Sequence, residues 1–281
     1  MTPGALSEHW TDRPTPLEKF IDVANEVLGD EDGPMAPKLF GAAGREYFAK
    51  YGMRPETLAK IPVKARRHAE HNPRAVFTEQ LTVEAVMASP RICDPLTRFQ
   101  CCPPTCGAAA AVLCTDAFAA RHGLKPDVRI LAQSLVTDMS SSFAGSAIAA
   151  VGGDMGRKAA GNVYAAAGIG PEDVDVVELH DCFSINEVIA YEGLGLCPEG
   201  GAAEFIESGA NTYGGKVVTN PSGGLISKGH PLGATGLAQC FELTTQLRGQ
   251  AGRRQVADAR IALAHNIGIG GACVVTMLGR A

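Results

Sequence analysis

A short polar segment with two proton-exchanging side chains follows an apolar run. It reads His180-Asp181-Cys182-Phe183 and lies between a strand pattern over residues 174–179 and a helical pattern over residues 183–195. Ligands of open α/β sheets bind outside the carboxyl ends of strands. The dipole of the following helix favours a cysteine thiolate, and a nearby histidine can accept or donate a proton. The residues leave two interpretations open, an acid–base site or a capped helix with a buried cysteine.

A glycine-rich segment over residues 220–236 contains another histidine. Its glycines let backbone amides approach a ligand closely. His230 precedes Pro231, a good first residue for a helix, so the sequence predicts an imidazole at a helix start that can donate to a developing oxyanion. The alternative is a turn-rich connector with a surface histidine. Lys228 and the glycines resemble a phosphate loop, but their spacing is not that of a Walker loop.

A third segment, Asn266-Ile267-Gly268-Ile269-Gly270-Gly271, joins two apolar runs near the carboxyl end of the chain. Successive backbone N–H groups in such a loop can form an anion-binding nest. Glycines are also common in hairpin turns, so this segment alone is a weak indication of function.

The nine cysteines do not form the pattern of a disulfide framework or a complete metal site. An odd number in a chain of this length indicates a reduced, intracellular compartment, which we take to be the cytoplasm. Cys102 and Cys106 resemble half a zinc site, but no second pair accompanies them. Cys106 precedes a run of small residues, so it is either an activated nucleophile or a structural residue at the edge of the core, and we expect the second. We expect Cys101, Cys102 and Cys114 to be packing residues.

Composition excludes several classes of protein. The net charge of −5 argues against a general nucleic-acid binder. No apolar run is long enough to cross a bilayer, so we expect no stable membrane insertion. The first ten residues lack the apolar centre of a secretion signal. A hydrophobic content of 46% in 281 residues is sufficient for a sizeable core.

The surrounding sequence predicts a layered α/β scaffold. Before residue 96 it predicts helices and a basic loop, with the helices over residues 14–28, 41–52 and 82–89. From residue 96 onward, strands alternate with helices; the strands are predicted over residues 127–136, 174–179, 259–264 and 272–278, and the helices over 154–168, 183–195 and 231–248. The last two strands would form an antiparallel hairpin. We therefore predict an α/β fold in two parts, residues 1–95 and residues 96–281.

Two local details of this scaffold bear on function. Ser184 and Glu187 have the spacing of a capping box at the start of the helix after Phe183. The basic stretch over residues 60–74 contains Lys64, Arg66 and Arg67, which either contact a phosphate or belong to a solvated face.

Taken together, the three segments resemble the thiolase superfamily, in its sterol-carrier-protein branch. Residues 180–183 resemble the HDCF box of that branch, residues 229–231 the shared GHP motif, and Asn266-Ile267-Gly268 stands where most thiolases show C-x-G. Residues 40–46 and 101–103 also resemble sequences of this branch. The resemblance extends over essentially the whole chain.

The resemblance implies a thiolase-like fold, in which two α/β halves pack as αβαβα layers with an inserted loop domain. This chain would hold one complete half and the loop domain, which in the family covers the coenzyme A binding region. The implied reaction is thiolysis of a 3-oxoacyl-CoA or the reverse Claisen condensation, in fatty-acid or sterol side-chain metabolism. Coenzyme A and acyl-CoA are then substrates, and neither a metal nor a redox cofactor is required.

The resemblance also implies roles for individual residues. Cys182 would move a proton at the α-carbon or on the incoming thiol, and Asp181 would orient its neighbours. His180 and His230 would donate to thioester oxygens, and His230 would also tune the nucleophile. The implied substrate-binding residues are Ser222, Gly223, Gly224, Asn266 and Gly268.

The sequence departs from the family in two respects. We expect the portion that carries the acylated cysteine in the family to be supplied from outside these 281 residues, so that the isolated chain is inactive and works as a homodimer or with a partner. Cys106-Gly107 stands where many relatives have Asp-Gly. The alternatives are a non-catalytic acyl-CoA-binding or scaffolding subunit and a steroid aldolase subunit, although intact His180 and Cys182 favour a thiolase. A eukaryotic source would make the peroxisome the alternative compartment.

Overall fold

The computed structural model describes residues 19, 20, 22, 26 and 34–281. The helix predicted over residues 14–28 therefore lies almost entirely outside the described residues. None of the helices in the described part of the chain has the length and apolar character needed to cross a membrane.

The described residues form a mixed five-stranded sheet in the order β3-β7-β6-β4-β5. Its strands are β3 (Val128–Val136), β4 (Val176–Glu178), β5 (Val218–Thr219), β6 (Ile261–Gly268) and β7 (Ala272–Arg280). β4 runs parallel to β5 and β6, whereas β7 is antiparallel to both β6 and β3. The predicted final hairpin is thus confirmed, and it adds an antiparallel edge to a parallel centre.

Strands β4 to β7 are covered on both faces by apolar contacts, whereas the edge strand β3 is largely exposed. Val177, Leu263 and Val275 pack into the larger core, under α6 (Gly153–Ala167) and α7 (Ser184–Gly193). The opposite face packs against α10 (Thr235–Leu247) through residues that include Val176, Ala262 and Leu278. The layered α/β structure predicted from residue 96 onward is therefore present, with helices on both sides of the sheet.

Two long helices close the outer side of the larger core. They are α1 (Met35–Tyr51) and α2 (Pro55–Ala69), which contact α7 and a set of short helices: α5 (Ala147–Ala150), α8 (Ala202–Glu207) and α9 (Gly224–Ser227). The prediction of a basic loop is wrong up to residue 69, because helix α2 continues through this stretch. The reason is an apolar stripe along α2, with Leu58, Ile61 and Ala65 buried in the same core as the sheet. The boundary between residues 95 and 96 stays a prediction.

Several local predictions need correction. A small hairpin of β1 (Arg91–Cys93) and β2 (Leu96–Thr97) follows α3 (Val83–Ala88), where no strand was predicted. The capping box does not form, since Phe183 is the N-cap of α7 and Glu187 points into the core. The helix predicted from residue 231 begins at Thr235.

The segment between β2 and β3 is largely exposed and contains the short helix α4 (Asp116–Arg121). Cys106 and Cys114 lie there and are exposed, so their predicted packing roles are wrong. Cys101 and Cys102, just before it, are partly buried. Residues 107–115 have no regular secondary structure, which leaves these side chains without an inner face to occupy.

Candidate active site

The three segments that contain the candidate catalytic and binding residues meet at one edge of the sheet. Residues 180–183 follow β4, residues 220–236 follow β5, and residues 266–271 begin within β6 and end beyond it. Because these three strands are parallel, their carboxyl ends lie side by side, where α/β sheets bind ligands. The parallel order of the strands therefore brings together segments that are distant in sequence.

Hydrogen bonds from residues 178 and 179, directly before the first segment, join the end of β4 to the second segment. The Asn220 side-chain oxygen accepts the Leu179 N–H at 2.8 Å, and Asn220 itself has a left-handed φ of 52°. The buried carboxyl group of Glu178 accepts the N–H of Ser222 at 2.9 Å through Oε1 and is hydrogen-bonded to the Ser222 hydroxyl at 2.8 Å through Oε2. Buried polar groups with satisfied hydrogen bonds specify one arrangement, so the two segments are held in fixed register.

Asp181 makes the connection closest to the histidines. Its carboxylate accepts the N–H groups of Leu225 at 2.7 Å and Ile226 at 3.4 Å, in the short helix α9. Gly224 packs directly against this carboxylate, because a Cβ at that position would lie 2.1 Å from Oδ2 of Asp181. The glycine is required here by contact with the protein's own side chain.

Residues 101–104 contact both the first segment and the second segment through their backbone. The Cys102 N–H donates to the Cys182 carbonyl at 2.9 Å, and Cys101 pairs with Phe183 in an antiparallel bridge. Pro104 pairs with His230 in a parallel bridge. The sequence indicated only packing roles for these cysteines, whereas the structure shows that their backbone positions Cys182.

The rings of His180 and His230 are in edge contact, with centroids 4.9 Å apart and planes at 87°. Nδ1 of His230 lies 2.7 Å from the Thr235 hydroxyl, which in turn donates to the Pro231 carbonyl at 3.1 Å. That geometry assigns the ring proton to Nδ1 and leaves Nε2 as an acceptor. His230 precedes the first residue of α10 by five positions, so the prediction that it sits at the helix start is wrong.

Burial keeps both histidines neutral. It lowers the pKa of His230 to about 4, and the positive charge of Lys228 contributes in the same direction. The pKa of His180 falls well below its ordinary value, first through burial and then through His230, His265 and Lys228. Neutral rings can accept protons or donate hydrogen bonds without a net charge.

The predicted thiolate at Cys182 is wrong for the chain as the structure shows it. Burial raises the pKa of this thiol well above its ordinary value, and negative charge at Cys102 and Asp181 adds to the effect. Desolvation therefore outweighs the dipole of α7. Cys182 is held as a protonated thiol, which is the form that can give a proton away.

His265 is a further buried histidine at this edge, which the sequence reasoning did not single out. It is 2% exposed, and its Nδ1 has no hydrogen-bond partner among the described residues. Burial lowers its pKa to about 4. The ring lines a small cavity of about 10 Å³ together with Asn186, whose amide donates to the His180 carbonyl. Its position one residue before Asn266 in β6 was the available signal.

The five residues predicted to bind substrate fall into two groups. Ser222, Gly223 and Gly224 are buried against the protein itself; a Cβ on Gly223 would lie 2.6 Å from Cβ of Ala69 in α2. Asn266 is partly buried and donates to the Gln239 side chain at 3.2 Å, and Gly268 is exposed at the end of β6. Their contact with a substrate stays a prediction.

A cavity of about 280 Å³ opens beside His230. Its lining includes Arg74, Cys106, Lys228 and Gly229. The Arg74 guanidinium lies 4.6 Å from the ring centroid of Phe241, which orients it. The cavity thus offers two cationic side chains next to the backbone neighbours of His230, and its acidic lining residue Glu242 is paired with Arg254.

The other basic residues discussed above are placed differently. Lys64 and Arg66 are buried, so neither the predicted phosphate contact nor the solvated face describes them. Lys64 pairs with Glu187, and Arg66 pairs with Glu79 at 3.2 Å. Arg67 alone of the three is exposed.

The chain is similar to known proteins over most of its length. A family described as "Thiolase C-terminal domain-like" matches residues 145–280. "Sterol carrier protein 2" of Bos taurus is 54% identical over 99% of this chain and 51% of its own length. "Acetyl-CoA acetyltransferase" of Methanothermobacter thermautotrophicus is 38% identical over 97% of this chain and 71% of its own length. The chain thus spans about half the length of the bovine relative.

Solved structures confirm the predicted fold class. A structure titled "Ltp2-ChsH2(DUF35) aldolase" matches with a TM-score of 0.70 and 22% identity, over 86% of this chain and 63% of that chain. The acetyl-CoA acetyltransferase of Bacillus anthracis matches with a TM-score of 0.62 and 18% identity, over 86% and 60% respectively. At these identities the likeness concerns the fold alone.

Proposed function

This chain belongs to the thiolase family, in its sterol-carrier-protein branch, and we propose that it supplies the acid–base residues of a thiolase-type acyl-CoA acyltransferase. The reaction is thiolysis of a 3-oxoacyl-CoA, or the reverse Claisen condensation, in fatty-acid or sterol side-chain metabolism. The observation that carries the proposal is the edge contact between the rings of His180 and His230, both neutral through burial, with the buried thiol of Cys182 two residues after His180 in the same segment.

The acyl-accepting cysteine is assigned to the part of the relatives that this chain does not match, in the same polypeptide or in a partner. Nε2 of His230 is the acceptor for the proton of that thiol, because Nδ1–H is directed to Thr235. The resulting thiolate attacks the 3-keto carbon of the substrate. His180, being neutral, donates a hydrogen bond to the oxygen on which charge develops.

Cys182 acts on the carbon that leaves. When the bond between C2 and C3 of the substrate breaks, its electron pair remains on C2 as an enolate, and the Cys182 thiol protonates that carbon. The Cys182 thiolate then takes the proton of the incoming coenzyme A thiol, which attacks the acyl-enzyme and forms the shortened acyl-CoA. The nucleophilic cysteine leaves as a thiolate and regains the proton that Nε2 of His230 had accepted. The raised pKa of Cys182 suits its first step, in which the group must arrive protonated.

The cavity beside His230 is the proposed entry for the coenzyme A portion. Coenzyme A carries several anionic phosphates, and Arg74 and Lys228 provide positive charge in the lining. Gly229 and Pro231 also line the cavity, so a ligand there lies directly along the backbone of His230. A homodimer is the assembly we propose.

The test joins this chain to the part of the bovine relative that it does not match and measures release of acetyl-CoA from 3-oxoacyl-CoA and coenzyme A. We expect turnover, reduced at least about a hundredfold by Cys182→Ala. Cys197→Ala is the matched control, because Cys197 is also buried but lies beyond the far end of α7. Coenzyme A binding without turnover would favour the non-catalytic subunit. Turnover that is unchanged by Cys182→Ala would contradict the proton-transfer role of Cys182.

A further inference from the structure

The buried side chain of Asn72 connects two parts of the candidate active site. Asn72 lies just beyond Ala69, the last residue of α2, and is 4% exposed. Its amide nitrogen donates to the Ser222 carbonyl at 2.7 Å, and its side-chain oxygen accepts the N–H of Arg74 at 3.0 Å. One carboxamide therefore joins the second segment to a cationic residue of the cavity beside His230.

The stretch of chain after α2 runs alongside the second segment. The N–H groups of Val76 and Phe77 donate to the carbonyls of Lys228 and Ser227, at 3.2 and 3.0 Å respectively. Because the carboxamide holds the other end, residues 72–77 are attached to the second segment at both ends. Backbone bonds at one end and a side-chain bond at the other give this stretch a defined path.

This stretch forms one wall of the cavity. Asn72, Arg74 and Val76 all line it, and such alternation is typical of extended backbone. Arg74 is an exposed residue, and its guanidinium lies 4.6 Å from the ring centroid of Phe241 in α10. Its backbone N–H is held by Asn72 and its guanidinium by Phe241, so both ends of the arginine are positioned.

Other contacts already hold the second segment against α2. Nδ1 of the buried His68 donates to the Asn220 carbonyl at 3.0 Å. A Cβ on Gly223 would lie 2.6 Å from Cβ of Ala69, so the two backbones are in close contact there. A buried carboxamide costs free energy unless its hydrogen bonds are made, and an apolar side chain would fill the same space without them. The distinctive contribution of Asn72 is therefore its link to the arginine in the cavity wall.

We propose that Asn72 is a positioning residue, which ties Arg74 to the segment that carries His230 and so fixes the distance between the cationic wall of the cavity and the acid–base residue. Its side chain is committed to two protein partners, so it acts through Arg74 rather than on a ligand. The effect on coenzyme A binding rests on the proposed function, whereas the effect on Arg74 does not.

The position of Arg74 is measured first, by NMR of the 281-residue chain without a ligand. The ring of Phe241 should shift the side-chain proton resonances of Arg74 to lower frequency, and Phe241→Leu, which removes the ring, identifies that shift. We expect Asn72→Ala to lose most of it, because the arginine is then no longer attached to Ser222.

The matched control is Asn162→Ala in α6. The Asn162 amide also donates to a protein atom, the Ser134 hydroxyl at 3.1 Å, but this residue does not line the cavity. The Arg74 resonances should not change in this variant. If Asn72→Ala does not fold, Asn72→Asp decides and should also reduce the shift, because an ionised carboxylate still accepts the Arg74 N–H but cannot donate to Ser222. An Arg74 shift retained in the variant that is measured would overturn the proposal.

Coenzyme A binding then separates positioning from general damage to the fold. Isothermal titration calorimetry compares the unmodified chain, Asn72→Ala, Arg74→Met and the double variant. Asn72→Ala should weaken binding about fivefold or more by itself, but less than about twofold in the Arg74→Met background, since both substitutions remove the same contact. Losses that simply add would overturn the proposal. The expected Arg74 shifts in a chain that binds no coenzyme A would instead contradict only the proposed function.

Discussion

The ring of His230 lies edge-on to that of His180, at 4.9 Å between centroids, although each ring belongs to a different loop. Each loop continues from a parallel strand, and Asp181 joins the two through the N–H groups of α9. Rigid support of this kind is what a site for acid–base chemistry requires, since small displacements of the reacting groups cost large factors in rate. The predictions below concern this support, the charge states it imposes and the chemistry that follows.

Gly224→Ala should destabilise the protein strongly. Its φ of +62° is left-handed, and a Cβ would lie 2.1 Å from the Asp181 carboxylate. Strain and a displaced buried carboxylate together predict a loss of about 2–4 kcal/mol in the free energy of unfolding, measured by urea denaturation. Gly233→Ala is the matched control, because a Cβ there meets no atom within 4 Å. Equal stability of the two variants would refute the importance of this contact.

Acid should weaken the protein through His265. Burial lowers its pKa to about 4 from 6.5, so below pH 6.5 the unfolded chain binds a proton that the folded chain rejects. Stability from this group is therefore lost as the pH falls from about 6.5 toward 4. Between pH 7.5 and pH 5, we expect the unmodified chain to lose about 2 kcal/mol more of its unfolding free energy than His265→Leu loses.

The comparison between two pH values removes the packing effect of that substitution. The pKa values of Asp181 and Glu178 are raised to about 7 and about 8, so these groups favour the folded state at low pH. Their contribution is the same in the unmodified chain and in His265→Leu, and it therefore cancels in the difference between the two proteins. His122→Gln, at an exposed position, should show the same difference from the unmodified chain at both pH values. If His265→Leu also differed from the unmodified chain by the same amount at both pH values, His265 would not be held neutral by burial.

Alkylation should distinguish the thiols. Cys182 is buried and its pKa is raised, whereas Cys106 and Cys114 are exposed. We expect iodoacetamide at neutral pH to modify the two exposed cysteines first and Cys182 at least about tenfold more slowly, as resolved by peptide mass spectrometry. The urea-unfolded chain, in which all three are accessible, serves as the control. Labelling of native Cys182 at the rate of Cys106 would indicate an accessible thiolate.

Much of the scaffold was predictable because its patterns are local. Apolar runs located β3, β4, β6 and β7, and the first and third segments were placed after predicted strands, whereas the two-residue strand β5 before the second segment was not predicted. The basic residues of α2 were harder, since Lys64 and Arg66 occupy buried positions that only tertiary pairing makes acceptable. The sequence alone does not show which residue will form an ion pair with a buried charged side chain.

The charge state of the site was predicted wrongly for a related reason. The start of a helix favours a thiolate at Cys182 when only the chain near it is considered, but burial dominates once residues 101–104 lie across the motif. His265 was missed because one histidine in an apolar strand resembles a core residue. Its approach to His180 follows from the parallel pairing of β6 with β4, which the sequence alone does not specify.

The central claim is that Cys182 and His230 perform separate steps, and the mass of the trapped acyl-enzyme tests it most directly. The chain, joined to the unmatched part of the bovine relative, is incubated with an acyl-CoA donor and analysed intact. Cys182→Ala should still accumulate acyl-enzyme, because the thiol acts only after the nucleophile has attacked. His230→Ala should slow acylation at least about a hundredfold, because Nε2 accepts the nucleophile's proton. Acylation abolished by Cys182→Ala and retained by His230→Ala would contradict the account.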